Sequence, residues 1–324
     1  MFTKSDCKIH VLIPAYNVEP YIKKCLDSLV CQTLKEIKIT VLDDGSTDRT
    51  GIIIDEYAKK YKNITALHQE NSGVVKVRSR LLAIAQGEYI GWVDADDFAE
   101  KTMYEKLYER AAQEKADMTF CDYSFYPKEI PTKRKWFRPY EGKVDWFFLT
   151  QNSQHWNKIV KLELIERYEL SKWNDYCGEI SYMLMLLLAK RIASVNEALY
   201  NYRVGQVSLS NNFHDVKPFV ENIEKTIRFR EVIRMIGLNE EWGCIFDSSI
   251  SIAYIQAMLV AAYNNKKAIY INCKNKSKEM NMNQNKYIKL RMDSVYGKLK
   301  SWVLRKLVPA GYLPACALAK IALK

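Results

Sequence analysis

The chain predicts an α/β fold, a mostly parallel sheet flanked by helices and continued by a C-terminal helical extension. Three observations carry this reading. Short β-branched runs alternate with amphipathic helical stretches from Ile9 to Cys121, polar clusters fall at the ends of those runs, and beyond Val216 helical periodicity dominates. Residues 9–13 form the first strand, and Pro14 is expected to stop it because proline lacks the N–H that a ladder needs. Residues 20–30 put Ile22, Leu26 and Leu29 on one helical face. A second strand follows at 37–42, then a helix at 48–61 with Ser46 or Thr47 as its cap. Strands at 64–67, 89–93 and 117–121 and helices at 74–85 and 102–115 complete the alternation. Residues 123–212 are less regular, with a basic and aromatic loop at 133–138.

In a parallel sheet, ligands collect beyond the carboxyl ends of the strands. Pro14-Ala15-Tyr16, Asp43-Asp44-Gly45 and Asp94-Ala95-Asp96-Asp97 all fall there and are expected to meet in one site. The last run is the most informative, because an apolar strand delivers three carboxylates to its tip. Like charges that close raise one another's pKa unless a cation lies between them. Hard divalent cations take carboxylate and phosphate oxygens together. The segment therefore predicts a bound Mg²⁺ or Mn²⁺ and, through it, a diphosphate. An Asp-rich helix cap is the plain alternative. Asp43 and Asp44 pose the same choice between ligand and turn, and Arg78 between phosphate partner and solvated helix residue.

Composition narrows the setting. A hydrophobic content of 48% excludes general disorder. No secretory leader is expected, since residues 1–8 are polar and charged, and the longest charge-poor windows, 180–189 and 248–265, read as buried helices rather than spans. Eight cysteines without metal-ligand spacing suit reduced thiols in a cytoplasmic protein. The net charge of +11 is uneven: residues 1–273 carry 37 basic and 36 acidic side chains, whereas residues 274–324 carry 12 and 2. Within that tail, 274–284 reads as a linker. Beyond it, Ile288, Met292, Val295, Leu299 and Trp302-Val303 recur at helical spacing among lysines and arginines. A basic amphipathic helix over 286–308 is thus expected to bind a membrane surface, where each basic residue contributes about 1 kcal/mol. Docking on the protein's own body is the alternative. No nucleic-acid recognition module appears, so no nucleic-acid partner is expected.

Several strings occur together in one order: Val11-Leu12-Ile13-Pro14-Ala15-Tyr16-Asn17, Cys25-Leu26-Asp27-Ser28-Leu29, Val41-Leu42-Asp43-Asp44-Gly45-Ser46-Thr47-Asp48, Gln69-Glu70-Asn71-Ser72-Gly73 and Arg78. Gly87-Glu88-Tyr89-Ile90, the Asp94/Asp96 pair, Trp156-Asn157-Lys158 and Leu199-Tyr200-Asn201-Tyr202-Arg203 follow. From residue 8 to about 210 the chain resembles family 2 glycosyltransferases of the GT-A fold, a Rossmann-like architecture, of the bacterial surface-polysaccharide type.

The resemblance implies inverting transfer of a hexose from a nucleotide-sugar, foremost a UDP-sugar, to a saccharide or lipid-linked glycan at the cytoplasmic face of the cell membrane. It implies a donor site at Pro14, Ala15, Tyr16, Asp43, Asp44, Gly73, Arg78, Asp94 and Asp96. Asp96 would bind Mn²⁺ or Mg²⁺ directly and Asp94 would reach the ribose or metal-bound water, while Trp156 and Asn157 would face the acceptor. An inverting reaction needs a general base. Relatives place a Glu-Asp pair ahead of the helix at 183–188. Here the string is Cys177-Gly178-Glu179-Ile180, so Glu179 is the first candidate and Asp175 the second. Leu81 also stands where relatives carry glycine. These departures leave a second reading, a weakened GT-A protein that binds nucleotide-sugar as partner of an active transferase. A nucleotidyltransferase would need a Gly-rich basic loop after the first strand, which Pro14-Ala15-Tyr16-Asn17-Val18 is not. The expected organisation is a catalytic domain over 1–215 (1–122 for nucleotide-sugar, 123–215 for acceptor), a helical extension over 216–273 and the basic amphipathic tail over 274–324.

Overall fold

Strands β1 (Ile9–Ala15), β2 (Ile37–Asp43), β3 (Ile64–His68) and β4 (Tyr89–Trp92) run parallel, with β1 between β2 and β4 and with β3 outside β2. The computed structural model to which they belong describes residues 7–127, 154–170, 181–204, 213–279, 286–296 and 298–322. The chain divides into two compact units, Met1–Gln206 and Val207–Lys324.

In the first unit the sheet has the order β3-β2-β1-β4-β7-β6-β8-β5. Its remaining strands are β5 (Phe98–Ala99), β6 (Met118–Tyr126), β7 (Lys158–Lys161) and β8 (Ile192–Arg203). β7 lies antiparallel to β4 and β6, β8 pairs parallel with β6, and β5 pairs antiparallel with β8. The expected mostly parallel sheet is present. Strands β5, β7 and β8 were not legible, because their reason to exist is pairing rather than pattern. β8 carries the half-exposed or exposed Val195, Asn196 and Glu197 in its middle. β6 extends five residues beyond the expected end because β8 pairs with it as far as Tyr126↔Arg203.

Helices α1 (Glu19–Val30), α2 (Thr50–Lys60), α3 (Val74–Ala83), α4 (Met103–Glu114), α5 (Leu162–Arg167) and α6 (Ser181–Leu188) connect the strands. α1 buries Ile22, Cys25, Leu26 and Leu29, the spacing of one helical face. These side chains join Ile9, Val11 and Ile13 of β1 and Tyr104 and Leu107 of α4 in one core. Strands β1 and β2 are covered on both faces, which is why they read as continuous apolar runs rather than alternating ones.

Two local expectations need correction. Pro14 does not end β1, since it pairs with Leu42 and the strand runs on to Ala15. Leu12 accepts from Val93 N–H on the β4 side, whereas Ala15 accepts from Asp44 N–H on the β2 side. Pro14 shares the side of Leu12, where pairing with β4 has already stopped at Trp92, so its missing N–H leaves no gap in the ladder. Nor do Ser46 or Thr47 cap α2. Asp48 Oδ1 accepts from Thr50 N–H at 2.9 Å, while its Oδ2 accepts from Glu19 N–H at 3.1 Å. Glu19 Oε2 in turn accepts from Arg49 N–H at 3.0 Å, so the first turns of α1 and α2 share acceptors.

The second unit is helical: α7 (Lys217–Met235), α8 (Asn239–Tyr263), α9 (Lys267–Glu279), α10 (Lys286–Tyr296), α11 (Lys298–Ala310) and α12 (Tyr312–Ala322). α8 is its hub, burying Ala253, Ala257 and Ala261 against its neighbours. The stretch Trp242–Tyr263 is long and apolar enough to cross a membrane by length and composition, yet 67% of its apolar window is buried, as in a core helix. The expected linker begins later than thought, because α9 continues through Glu279. The tail helix is likewise two helices whose inner faces differ from the expected stripe. Ile288, Met292, Leu304 and Val308 are buried, whereas Leu299 and Trp302 are exposed.

Candidate functional site

The loops after β1 and β2 are clasped together. Asn17, in the left-handed region at φ 49°, accepts from Thr47 N–H through Oδ1 at 2.8 Å, and its own N–H donates to Ser46 Oγ at 3.0 Å. Pro14 and Ala15 are the strand end beneath this clasp, and Tyr16 is exposed above it. Gly45 cannot be replaced simply, since its φ is +70° and a Cβ would lie 2.8 Å from Asn71 N.

Asp43 and Asp44 are both buried, and protein donors surround their carboxylates. Asp43 Oδ1 accepts from Ser46 N–H at 3.1 Å, and its Oδ2 lies 3.0 Å from His68 Nδ1. The other ring nitrogen of His68 is 3.2 Å from Asp55 Oδ1. The hydrogen bond to Asp43 is the main reason that the His68 pKa is raised. Asp44 receives four hydrogen bonds: from Gln69 Nε2 at 2.7 Å, Ser72 N–H at 2.9 Å, Ser72 Oγ at 3.2 Å and Gly73 N–H at 2.9 Å. Burial alone would raise the pKa of Asp44, but these donors outweigh burial and lower it. Asp44 therefore holds the β3–α3 loop on the rim. Gly73, at φ +86°, lets the chain turn into α3.

α3 carries Arg78 toward the tip of β4. The Arg78 side chain is largely buried, and its Nη2 donates to Asp94 Oδ1 at 3.0 Å. Leu81 is fully buried in the packing of α3.

The three acids of the β4 tip divide into two kinds. Asp97 is buried, and its Oδ2 accepts from Tyr200 O–H at 2.8 Å while its Oδ1 accepts from Arg203 N–H at 2.7 Å. The Tyr200 hydroxyl also accepts from Asp94 N–H at 3.2 Å, and Asp97 N–H closes the turn on Asp94 C=O at 2.9 Å. Burial, then the charges of Asp96 and Asp94, push the Asp97 pKa up to about 8. Asp97 is thus the internal anchor of the turn. Asp96 is different. Arg203 Nε donates to its backbone C=O at 2.8 Å, but its carboxylate takes no hydrogen bond or ion pair from another described residue. Burial and then the neighbouring Asp94 charge raise its pKa, opposed by a hydrogen bond from its own backbone N–H and then by the Arg203 charge. A half-buried carboxylate without a protein partner beside a second carboxylate is suited to a cation. Among the described residues no three His, Cys, Asp or Glu side chains converge on one point. A divalent ion held by Asp96 and Asp94 would therefore complete its shell with phosphate and water oxygens, the usual habit of Mg²⁺.

Trp156 and Asn157 do not line an open pocket. The Trp156 ring is buried and stacks on Tyr200 at 4.6 Å and 7°, on Tyr202 at 5.2 Å and 19°, and edge-on to Tyr123 at 4.8 Å. Asn157 is completely buried at φ 62°, and its Nδ2 donates to Cys121 C=O at 2.6 Å. Lys158 is buried too, with Nζ donating to Gln154 C=O at 2.5 Å. This corner leads into β7, and Trp156 backs the Tyr200 ring that holds the acidic turn. Glu179 and Asp175 lie outside the described residues.

Sequence reasoning placed Asp97 in the acidic cluster without separating its part from that of Asp96, and gave no role in the site to Tyr200, Arg203 or His68. Tyr200 and Arg203 reach the acidic turn across more than a hundred residues of chain, with no local signal of that contact. The available clue was a polar, aromatic string, Tyr200-Asn201-Tyr202-Arg203, inside an otherwise irregular region.

Comparison with known proteins agrees with this geometry. The profile of Glycosyl transferase family 2 matches residues 10–184. The uncharacterised glycosyltransferase EpsJ of Bacillus subtilis is 31% identical over 222 residues, covering 62% of this chain and 62% of its own length. S. aureus TarS 1–349 in complex with UDP-GlcNAc superposes with a TM-score of 0.55 at 19% identity, covering 84% of this chain and 90% of that one. The mannosyltransferase PcManGT from Pyrobaculum calidifontis, in complex with GDP-Man and Mn²⁺, superposes with a TM-score of 0.53 at 16% identity, covering 98% and 88%. These structures share the GT-A fold with the first unit. With an acid-tipped parallel sheet and a family match that spans its strands β1 to β4, the chain belongs to glycosyl transferase family 2.

Proposed function

We propose that the protein transfers a sugar from a nucleotide-sugar, most directly a UDP-sugar, to a saccharide or lipid-linked glycan, with inversion, at the inner face of the cell membrane. The observation that carries the reading is the Asp96 carboxylate, which takes no hydrogen bond or ion pair from another described residue and sits on a turn that Asp97, Tyr200 and Arg203 hold. Asp43 and Asp44 shape the rim on which the nucleoside would rest, with Pro14, Ala15 and Tyr16 along its edge and Gly73 opening α3. Asp96 and Asp94 would hold Mn²⁺ or Mg²⁺. The metal would supply positive charge to the leaving diphosphate as the glycosidic bond breaks. Arg78 keeps Asp94 oriented and adds a fixed charge beside it, while Arg203 holds the Asp96 backbone C=O and the Asp97 carboxylate. Glu179, with Asp175 second, is the proposed base that takes the acceptor hydroxyl proton.

The bound donors named for TarS and PcManGT, and Mn²⁺ in the latter, support this choice of ligand class. The purified protein given UDP-sugars, Mn²⁺ and a saccharide acceptor should release UDP, and Asp96→Asn should lose that activity. Equal turnover in the variant would remove the metal assignment. Cys177-Gly178-Glu179 in place of an acidic pair favours a second reading, a partner protein that binds the donor without transferring it. Calorimetric donor binding with no transfer to any acceptor would select that reading.

A further inference from the structure

α11 is apolar on two opposite sides. Its inner stripe, Ser301, Leu304 and Val308, is buried in the core that α8, α10 and α12 share. Its other side leaves Leu299 78% exposed, Trp302 53% and Leu307 39%, and Leu313 at the start of α12 is 79% exposed. Soluble surfaces seldom leave a cluster of large apolar side chains in water. The charge around them has one sign. From Lys286 to Ala322 the chain carries eight basic residues and a single acid, Asp293, and α11 itself has Lys298, Lys300, Arg305 and Lys306 with no acid.

We infer that the outward face of α11, with the first turn of α12, docks on an anionic lipid bilayer, Leu299, Trp302, Leu307 and Leu313 entering the headgroup boundary. The inference deepens the membrane placement proposed above and names the surface responsible. It is independent of the catalytic residues. Both halves of the chemistry fit one occupant. A bilayer offers hydrocarbon to the leucines and an amphipathic interface to the indole, while anionic headgroups offer charge to Lys298 and Lys306, whose stems can follow the apolar face outward. A second copy of the chain fits poorly, because a symmetric contact would set two cationic faces against each other. A nucleic acid would satisfy the lysines and leave the leucines in water.

The test uses the full chain in vesicle flotation. Wild type should float with phosphatidylcholine vesicles containing about one third phosphatidylglycerol and stay behind with pure phosphatidylcholine. Leu299→Ser with Leu313→Ser should lower the bound fraction at least tenfold, and Lys298→Glu with Lys306→Glu should remove the preference for anionic vesicles. UDP release toward a soluble acceptor should be unchanged in both, which separates this test from that of the catalytic reading. Three outcomes would overturn the inference. Wild type and both variants could float equally, leaving the membrane placement intact but moving it elsewhere. Neither wild type nor variants could float, which would end the placement itself. Or light scattering could find a dimer that Leu299→Ser with Leu313→Ser dissolves, which would assign the face to a second copy.

Discussion

Two pairs of aspartates stand at strand ends on either side of β1 and look alike in sequence, Asp43-Asp44 after β2 and Asp94-Ala95-Asp96 after β4. The structure gives them opposite fates. Asp44 is filled by four donors and Asp43 is held between Ser46 and His68, so these carboxylates are part of the loop architecture. Among the described residues Asp96 has no partner of this kind, and the anchoring that its turn requires comes from Asp97 next door. The same residue type thus serves as mortar in one loop and stays an open carboxylate in the other. Whether a carboxylate can bind something new depends on how many of its lone pairs the protein has already taken.

If that distinction is right, removing the open acid should damage chemistry and spare the fold. Asp96→Asn should lower UDP release on the order of a hundred- to a thousandfold, as expected for loss of a group that stabilises transition-state charge. Its melting temperature without metal should hold or rise slightly, since one of two close like charges is gone. Removing a filled acid should do the reverse. Asp44→Ala removes the acceptor of the N–H groups of the half-exposed Ser72 and the exposed Gly73 and should cost about 1–2 kcal/mol, read as a lower urea midpoint. A collapse of the two variants onto one phenotype would break the comparison.

The anchor can be probed without touching either acid. Tyr200→Phe removes the hydroxyl that joins Asp97 to Asp94 but leaves the stacking on Trp156. Mn²⁺ affinity should fall about tenfold or more, as for other residues that orient metal ligands. The smallest expected effect concerns His68. Its pKa is raised in the fold, so its protonated pairing with Asp43 and Asp55 contributes stability that is complete below its unfolded pKa of about 6.5 and is lost as pH rises through the higher folded value. The melting temperature of wild type relative to His68→Gln should therefore fall with rising pH above that point. His68 is 43% exposed, so solvent keeps the difference small. A difference that grows with pH would reverse the assignment.

Sequence alone determined the alternation of β1 to β4 with α1 to α4 and the placing of three polar clusters on one rim. Both follow from local periodicity, and a parallel sheet brings its carboxyl ends together whatever the details of packing. It also determined that residues 274–324 are strongly cationic and that 286–308 has helical spacing, which composition and periodicity suffice to say. Tertiary structure decided which acid of Asp94, Asp96 and Asp97 stays open, because the groups that close Asp97 arrive from Tyr200 and Arg203. It turned Trp156 and Asn157 from surface candidates into the packed backing of that turn, since the stacking partners belong to β8. It likewise chose Leu304 and Val308 of α11 for the interior and left Leu299 and Trp302 outside. A pattern specifies a face, but only the neighbours that come to lie against a helix or a strand specify which face is covered.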